Sequence, residues 1–151
     1  MPEKAGWLGC NGGPQETQMY YFAYASDLSR KQMSELCPDA KPGFTAVLPN
    51  YKTVFTGWSR KWRGGIATIR VSQGARVRGA VYEISQRCLL SLDKQVDYPH
   101  TYDRMTVKVI TADDEFVDAV TYIMARQAEE TKPSQDYVDV IRQGYKDWRI
   151  R

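Results

Sequence analysis

The chain has 151 residues, of which 42% are hydrophobic and 26% are charged, and its formal net charge at pH 7 is +3. This length predicts one domain that is large enough to bury a core, and the composition is typical of a soluble globular protein. A net charge this small gives no electrostatic reason to expect binding to nucleic acid or to a membrane surface. We therefore expect neither of them as a partner.

The beginning of the chain and its cysteines bear on location. Residues 1–18 are rich in glycine and polar residues, and no apolar run in the chain approaches the ~20 residues that a membrane-spanning helix needs. We predict a flexible tail over 1–18 and a single domain over 19–151. The three cysteines, Cys10, Cys37 and Cys88, lack the spacing of a metal site, and there is one histidine. We expect reduced thiols in a cytoplasmic protein and no metal site.

The first predicted element is a strand that runs directly into a helix. The aromatic run from Tyr20 to Tyr24 favours a buried strand, and the segment from Leu28 to Leu36 has helical spacing. Ser26 or Asp27 is a good N-cap for that helix. The first N–H groups of a helix have no partner within it, so a turn of this kind can bind a carboxylate or a phosphate. An ordinary strand-to-helix turn is the more common interpretation.

Strands and helices are intermixed over the rest of the chain. The predicted strands cover 44–48, 51–56, 66–71, 77–84, 102–110 and 116–124, and the predicted helices begin at Gln86 and near Ser134. Most of these strands are joined by turns that are too short for parallel crossovers. The order therefore predicts an α+β fold with a mixed, mainly antiparallel sheet.

Four stretches, in one order along the chain, resemble the γ-glutamylcyclotransferase family. Tyr21–Leu28 is similar to the family signature Tyr-Phe-Ala-Tyr-Gly-Ser-Asn-Leu, and the other matches are Gly64–Ile69, Ser91–Gln95, and Pro133–Tyr137 with Gly144 after it. The resemblance implies that the sheet closes into a small, mainly antiparallel β-barrel with flanking helices. It also implies a reaction that releases 5-oxoproline from a small γ-glutamyl ligand without a cofactor.

The resemblance also implies which residues form the site. The turn of the signature binds the substrate carboxylate, and a Glu in the motif Leu-Asp-x-x-Glu-Gly moves the protons. The corresponding binding residues of this chain are Tyr21, Phe22, Ala23, Tyr24, Ala25, Ser26, Tyr102 and Tyr137. For the last two tyrosines, amphipathic core packing explains the sequence equally well.

The chain departs from the family pattern where protons are moved. Val96, which has no titratable group, stands at the position of the family Glu, and Asp97 stands at that of the following Gly. Asp97 is our candidate for a replacement acid or base, although a step of one residue on a helix turns the side chain by about 100°. His100, the one histidine, titrates in a useful range but fits an exposed loop better.

The anion-binding turn is altered as well. Ala25 replaces a Gly of the signature, which costs about 1 kcal/mol if the position needs a positive φ. Asp27 replaces Asn, and its charge would repel a carboxylate ligand unless a Lys or Arg lies near. The loop from Trp58 to Arg63 interleaves cations with indoles, which suits a contact with an acidic or planar group or with nucleic acid. A lid exposed to solvent is the more common explanation, since the cluster is short and the net charge is small.

Three functions are compatible with this sequence. The first is an enzyme of the family with an altered active site that uses Asp97. The second is a catalytically silent protein that holds a small carboxylate or amino acid in the same pocket. The third is an unrelated reaction on the same scaffold, since one fold hosts many chemistries. The oligomeric state is open too, with a homodimer among the alternatives.

Overall fold

The computed structural model describes residues 19–150, so the predicted tail over 1–18 lies outside it. Five strands and three α-helices follow one another, with a short 3-10 turn over Ala25–Leu28 after the first strand. The strands are β1 (Met19–Ala23), β2 (Lys41–Ser59), β3 (Gly64–Ile84), β4 (Tyr102–Thr111) and β5 (Phe116–Met124). The helices are α1 (Arg30–Leu36), α2 (Gln86–Val96) and α3 (Gln135–Asp147).

The strands form a closed barrel in the order β1-β3-β2-β4-β5. β1 and β5 close it as parallel neighbours, with Tyr21 opposite Val120. The other pairs, β1 with β3, β3 with β2, β2 with β4 and β4 with β5, are antiparallel. The expected α+β fold, a small and mainly antiparallel barrel with flanking helices, is confirmed.

Two pairs of predicted strands are merged into long, bent strands. Strands expected at 44–48 and 51–56 are both part of β2, and those expected at 66–71 and 77–84 are both part of β3. The pairing shifts register between Pro49 and Tyr51, where Asn50 has a φ of 66°. The Asn50 side chain accepts a hydrogen bond from the Gly74 N–H at 3.1 Å. The predicted turns are thus irregularities within continuous strands, which allows the two strands to bend together.

Alternate residues of the strands face two separate cores. One cluster contains buried residues from all five strands, among them Phe22, Leu48 and Val109, and fills the barrel. The other contains Tyr82 of β3 together with Met33, Leu92 and further residues of the helical side. Since successive strand side chains point to opposite faces, the barrel is packed on its inside and against helices on its outside.

A disulfide joins helices α1 and α2, which pack on the outer face of the barrel. Cys37, the C-cap of α1, is bonded to Cys88 in the first turn of α2, with their Cα atoms 5.2 Å apart. Both residues are buried. The expectation of reduced thiols is therefore wrong for this pair, because the fold brings together two cysteines that are separated by 51 positions. Cys10 lies outside the described residues.

No helix within residues 19–150 combines the length and the apolar character needed to span a bilayer.

Candidate functional site

A cavity of about 200 Å³ opens beside the 3-10 turn. At ~30 Å³ for each water in the liquid, it has room for about seven waters, which suits a small amino-acid derivative. Its lining comes from all five strands, all three helices and the loop between β2 and β3. The lining residues are Tyr21, Tyr24, Ala25, Ser26, Asp27, Gln32, Ser59, Lys61, Trp62, Ile66, Ala67, Gln95, Val96, Tyr102, Tyr122 and Tyr137.

The turn that forms one wall has the backbone shape that its sequence suggests. Ala25 has a φ of 56°, the left-handed conformation that glycine adopts at lower cost. Helix α1 begins later than expected, and its N-cap is Ser29, whose Oγ accepts a hydrogen bond from the Gln32 N–H at 3.3 Å. The sequence suggested Ser26 or Asp27 as the N-cap of α1, and this is wrong, because both residues lie within the 3-10 turn that precedes the helix. Both line the cavity instead.

Helix α3 holds this turn from behind. Gly144 of α3 lies so close to it that an added Cβ would be 2.6 Å from the Leu28 Cβ and 2.7 Å from the Ser29 nitrogen. The Trp148 indole N–H donates a hydrogen bond to the Leu28 carbonyl at 3.0 Å. The absence of a side chain at Gly144 therefore lets α3 pack directly against the turn, and this contact holds the turn in place.

Two of the lining tyrosines are anchored to the backbone of β3. The Tyr102 hydroxyl donates a hydrogen bond to the Ala67 carbonyl at 2.6 Å, and the Tyr137 hydroxyl accepts one from the Ala67 N–H at 2.9 Å. The Tyr137 proton is therefore not used on Ala67 and can be donated elsewhere. These side chains are buried at the same time as they line the cavity, so core packing and a place in the site are compatible.

A third tyrosine is held by an ion pair. The Tyr122 hydroxyl donates a hydrogen bond to one carboxylate oxygen of Asp93, and the Arg104 guanidinium pairs with the other oxygen. Asp93 belongs to the Ser91–Gln95 stretch on α2, so this contact ties α2 to β4 and β5 beside the cavity.

The loop between β2 and β3 supplies a cation and an indole. Lys61 and Trp62 both line the cavity, and the Trp62 ring lies 4.9 Å from that of Tyr137, measured between centroids. Gly64 lets the loop's other end approach α3, because an added Cβ would be 2.7 Å from the Ser134 nitrogen. Trp58, by contrast, is exposed.

Asp27 brings a carboxyl group into this cavity. Burial raises its pKa above the ordinary value, since the charged form loses contact with water. Three neighbours act in the opposite direction, namely the Tyr21 hydroxyl, which donates a hydrogen bond to the carboxylate, the Lys61 ammonium and the Gln32 side chain. A carboxylate ligand beside Asp27 needs a nearby cation to offset the repulsion between the two charges, and Lys61 supplies one.

The tyrosines around Asp27 remain protonated at neutral pH. Burial raises the pKa of Tyr137 to about 12 and, as the largest cause in each case, raises those of Tyr21, Tyr24, Tyr102 and Tyr122 as well. None of these hydroxyls therefore accepts a proton as a base. Tyr21, Tyr24, Tyr102 and Tyr122 already donate their protons to protein acceptors, which leaves the Tyr137 hydroxyl as a donor for a ligand.

The structure brings most of the predicted binding residues together. Tyr21, Tyr24, Ala25, Ser26, Tyr102 and Tyr137 all line the cavity. Phe22 and Ala23 do not line it. Both are fully buried, Phe22 in the barrel core and Ala23 in the outer core, because the alternation along β1 sends their side chains into packed interiors.

The predicted replacement for the family Glu lies elsewhere. Asp97 is the exposed C-cap of α2 with a φ of 59°, and its carboxylate accepts a hydrogen bond from the Thr101 hydroxyl at 2.8 Å. It is absent from the lining, whereas Val96 is part of it. The left-handed cap turns the chain away after Val96, which is why the neighbouring side chain points to solvent.

Nothing in the sequence indicated that Gln32 and Tyr122 line the cavity, and it left open whether Lys61 contacts a ligand or belongs to a lid exposed to solvent. Asp27 was noted as a charge on the turn but was expected to cap the helix. The contribution of Tyr122 follows from the register of β5 against β4, which the sequence alone does not give. Among residues 19–150 no group of three or more His, Cys, Asp or Glu side chains is arranged to hold a metal ion.

Comparison with known proteins gives a consistent result. Residues 21–148 match the family described as gamma-glutamyl cyclotransferase, AIG2-like. The chain is 34% identical over 146 residues to gamma-glutamylcyclotransferase of Homo sapiens. The alignment covers 92% of this chain and 77% of the human protein. The protein of that name from Mus musculus is 32% identical over 145 residues, with 91% and 77% covered.

A solved structure titled gamma-glutamyl cyclotransferase superposes with a TM-score of 0.82 at 32% identity, covering 87% of this chain and 80% of that one. The turn, the cavity lining and all of the barrel except the first two residues of β1 lie within the matched residues 21–148. The chain belongs to the γ-glutamylcyclotransferase, AIG2-like family.

Proposed function

We propose that this protein cyclises a γ-glutamyl compound and releases 5-oxoproline and an amine. The α-nitrogen of the substrate forms a bond to its own γ-carbonyl carbon, and the amide bond to the leaving nitrogen breaks. Two protons pass from the attacking nitrogen to the leaving nitrogen, so the reaction needs no cofactor and no water. Because the attack is intramolecular, holding the substrate in a ring-closing pose supplies much of the rate enhancement.

The observation that carries this proposal is the cavity beside Ala25–Leu28 in a chain of this family. Its groups suit the two ends of an α-amino acid. The Lys61 ammonium is available to the α-carboxylate and the Asp27 carboxylate to the α-ammonium, and tyrosines form much of the remaining lining. The Tyr137 hydroxyl, whose proton is not donated to Ala67, is a donor for a carbonyl oxygen.

A second hollow gives the leaving group somewhere to lie. It adjoins the cavity through Lys61 and Trp62 and is further lined by Arg63 and by Ser134–Asp136 at the beginning of α3. The amine half of an amide can extend into it. Glutathione is itself a γ-glutamyl compound, so we extend the proposal to the cytoplasmic metabolism of glutathione.

The direct test is a panel of γ-glutamyl amino acids, γ-glutamyl amines and glutathione, incubated with the purified protein and assayed for 5-oxoproline. We expect release from at least one compound, with an equal amount of the free amine. No 5-oxoproline from any member of the panel would contradict the proposal.

A second candidate function is binding without turnover, and the presence of Val96 in the lining favours it. In this case L-glutamate would raise the temperature of thermal unfolding while the panel gives no product. A Val96→Glu variant that gains cyclotransferase activity would show that the rest of the pocket is competent. If glutamate leaves thermal unfolding unchanged, this candidate is wrong.

A further inference from the structure

Asp27 is the carboxyl group of this cavity. Of the residues that line it, all within 19–150, the other titratable ones are Lys61 and the tyrosines. The raised pKa values of the tyrosines keep them protonated. Val96 carries no titratable group, and Gln95 cannot accept a proton usefully. A proton leaving the substrate at neutral pH therefore has Asp27 as its acceptor within the lining.

The position of this carboxyl group is fixed by the fold. The turn that carries it is backed by Gly144 of α3 and by Trp148, the C-cap of that helix. Its carboxylate accepts the hydrogen bond of the Tyr21 hydroxyl from β1. A group that is held from two sides in this way is preorganised, as proton transfer requires.

We propose that Asp27 accepts and returns the protons of the ring closure, in place of the Glu that the family carries at the position of Val96. This inference rests on the proposed function. It places the proton carrier on the turn between β1 and α1 instead of on α2. In this chain the carboxyl group of Asp27, where the family signature has Asn, accompanies the loss of the Glu carboxyl group at the position of Val96.

Two protons must move from the attacking nitrogen to the leaving nitrogen, and one carboxyl group can carry them in turn. The Asp27 carboxylate takes a proton from the α-ammonium, and the free amine then attacks the γ-carbonyl carbon. The protonated Asp27 gives that proton to the leaving nitrogen as the amide bond breaks. It then takes the second proton from the new ring nitrogen and passes it to the departing amine, which leaves as an ammonium.

The surroundings of Asp27 suit both directions of transfer. Burial favours the protonated form, while Tyr21 from β1, Gln32 from α1 and Lys61 from the β2–β3 loop favour the carboxylate. The negative charge of Asp27 in turn contributes to the raised pKa values of Tyr102 from β4, Tyr122 from β5 and Tyr137 from α3. Burial is the largest of these influences, so the pKa of Asp27 is raised above its ordinary value, and the contacts with Tyr21, Lys61 and Gln32 limit the rise.

The experiment moves the carboxyl group from one site to the other. With a γ-glutamyl compound that the wild-type protein converts, 5-oxoproline release is measured for Asp27→Asn, for Val96→Glu and for the double variant Asp27→Asn/Val96→Glu. Asp103→Asn, at an exposed site on β4, is the matched control. Circular dichroism and thermal unfolding establish that each variant is folded.

We expect Asp27→Asn to lower kcat by at least ~100-fold, the usual contribution of an acid or base, with the control unchanged. The double variant should regain at least ~10-fold over Asp27→Asn, and the acidic limb of its pH–rate profile should shift relative to the wild type. If folded Asp27→Asn keeps its rate within about threefold, or if Asp97→Asn alone abolishes turnover, Asp27 is not the proton carrier. A wild-type protein that is silent on the whole panel overturns the proposed function, and this inference with it.

Discussion

Asp27 places a carboxyl group where the folded protein disfavours its charge. Burial raises its pKa, and the contacts with Tyr21, Lys61 and Gln32 offset only part of that effect. In the unfolded chain the same group has an ordinary pKa near 3.9. Between those two pKa values the folded state binds more protons than the unfolded state, so this group costs stability as the pH rises through that range.

Asp27→Asn should therefore be more stable than the wild type at neutral pH. The amide oxygen of Asn can still accept the Tyr21 hydrogen bond, while the buried charge is removed. The gain should be smallest below pH 4, should grow as the pH rises through the titration of Asp27, and should then stay constant. Thermal unfolding of both proteins across this range measures it. A variant that is less stable than the wild type at neutral pH would show that the contacts outweigh burial.

At the scale of residues, the sequence identified side chains by their type and by their match to the family's motifs, and Tyr24, Ser26 and Tyr102 do line the cavity, while their contact with a ligand stays a prediction. The sequence could not tell which residues of β1 face the cavity. Tyr21 and Phe22 are both aromatic, and only the fold shows that their side chains point to opposite faces of the strand. The role of Asp27 depends on where the helix begins, and the sequence offered Ser26 and Asp27 as caps, whereas the structure uses Ser29. Helix boundaries of that kind are decided by tertiary packing.

At the scale of elements, the site depends on how closely α3 approaches the turn. Gly144 has no side chain to keep them apart, and the Trp148 indole bonds to the Leu28 carbonyl. The sequence showed a glycine inside a helical pattern, which signals a packing requirement without naming the partner.

Gly144→Ala tests this contact. Alanine favours a helix by up to ~1 kcal/mol over glycine, but its Cβ would lie 2.6 Å from that of Leu28. Overpacking of this kind costs about 1–3 kcal/mol, so we expect a net loss in the free energy of unfolding and weaker binding at the cavity. Arg142→Ala, at an exposed position of α3, should change stability by less than ~0.5 kcal/mol. Equal stability of Gly144→Ala and the wild type would mean that α3 can move back without cost.

The long strands show the same limit on prediction from sequence. Residues 49–50 and 72–75 have the composition of turns, and local rules end a strand there. In the barrel they lie opposite each other in β2 and β3, so both strands bend at one place and continue. Pairing over a distance overrides the local signal.

At the scale of the molecule, the Cys37–Cys88 bond connects α1, which carries Gln32, to α2, which ends at Val96. Spacing in the sequence could not reveal this pair, since the two cysteines are 51 positions apart. Closure of the barrel was implied by the family resemblance and not by periodicity. Disulfides are rare in reducing compartments, so the cytoplasmic location stays a prediction that this bond makes worth testing.

Reduction of the disulfide should destabilise the protein. Closing a loop of this length stabilises the native state relative to the unfolded chain by about 4 kcal/mol in the chain-entropy account, and disulfides typically contribute about 2–4 kcal/mol. Urea unfolding with and without a thiol reductant measures the effect. A Cys37→Ser/Cys88→Ser variant is the control and should not respond to reductant, whereas Cys10→Ser should respond as the wild type does. Coincident transitions for the oxidised and reduced wild type would contradict the expectation.

The most direct test of the whole account is the structure of the protein with a γ-glutamyl analogue whose γ-carbonyl is replaced by a methylene group, so that it cannot cyclise. We predict that the analogue lies beside Ala25–Leu28 with its α-nitrogen within ~3 Å of an Asp27 carboxylate oxygen. An analogue bound elsewhere, or bound in the cavity with its α-nitrogen directed away from Asp27, would contradict the account.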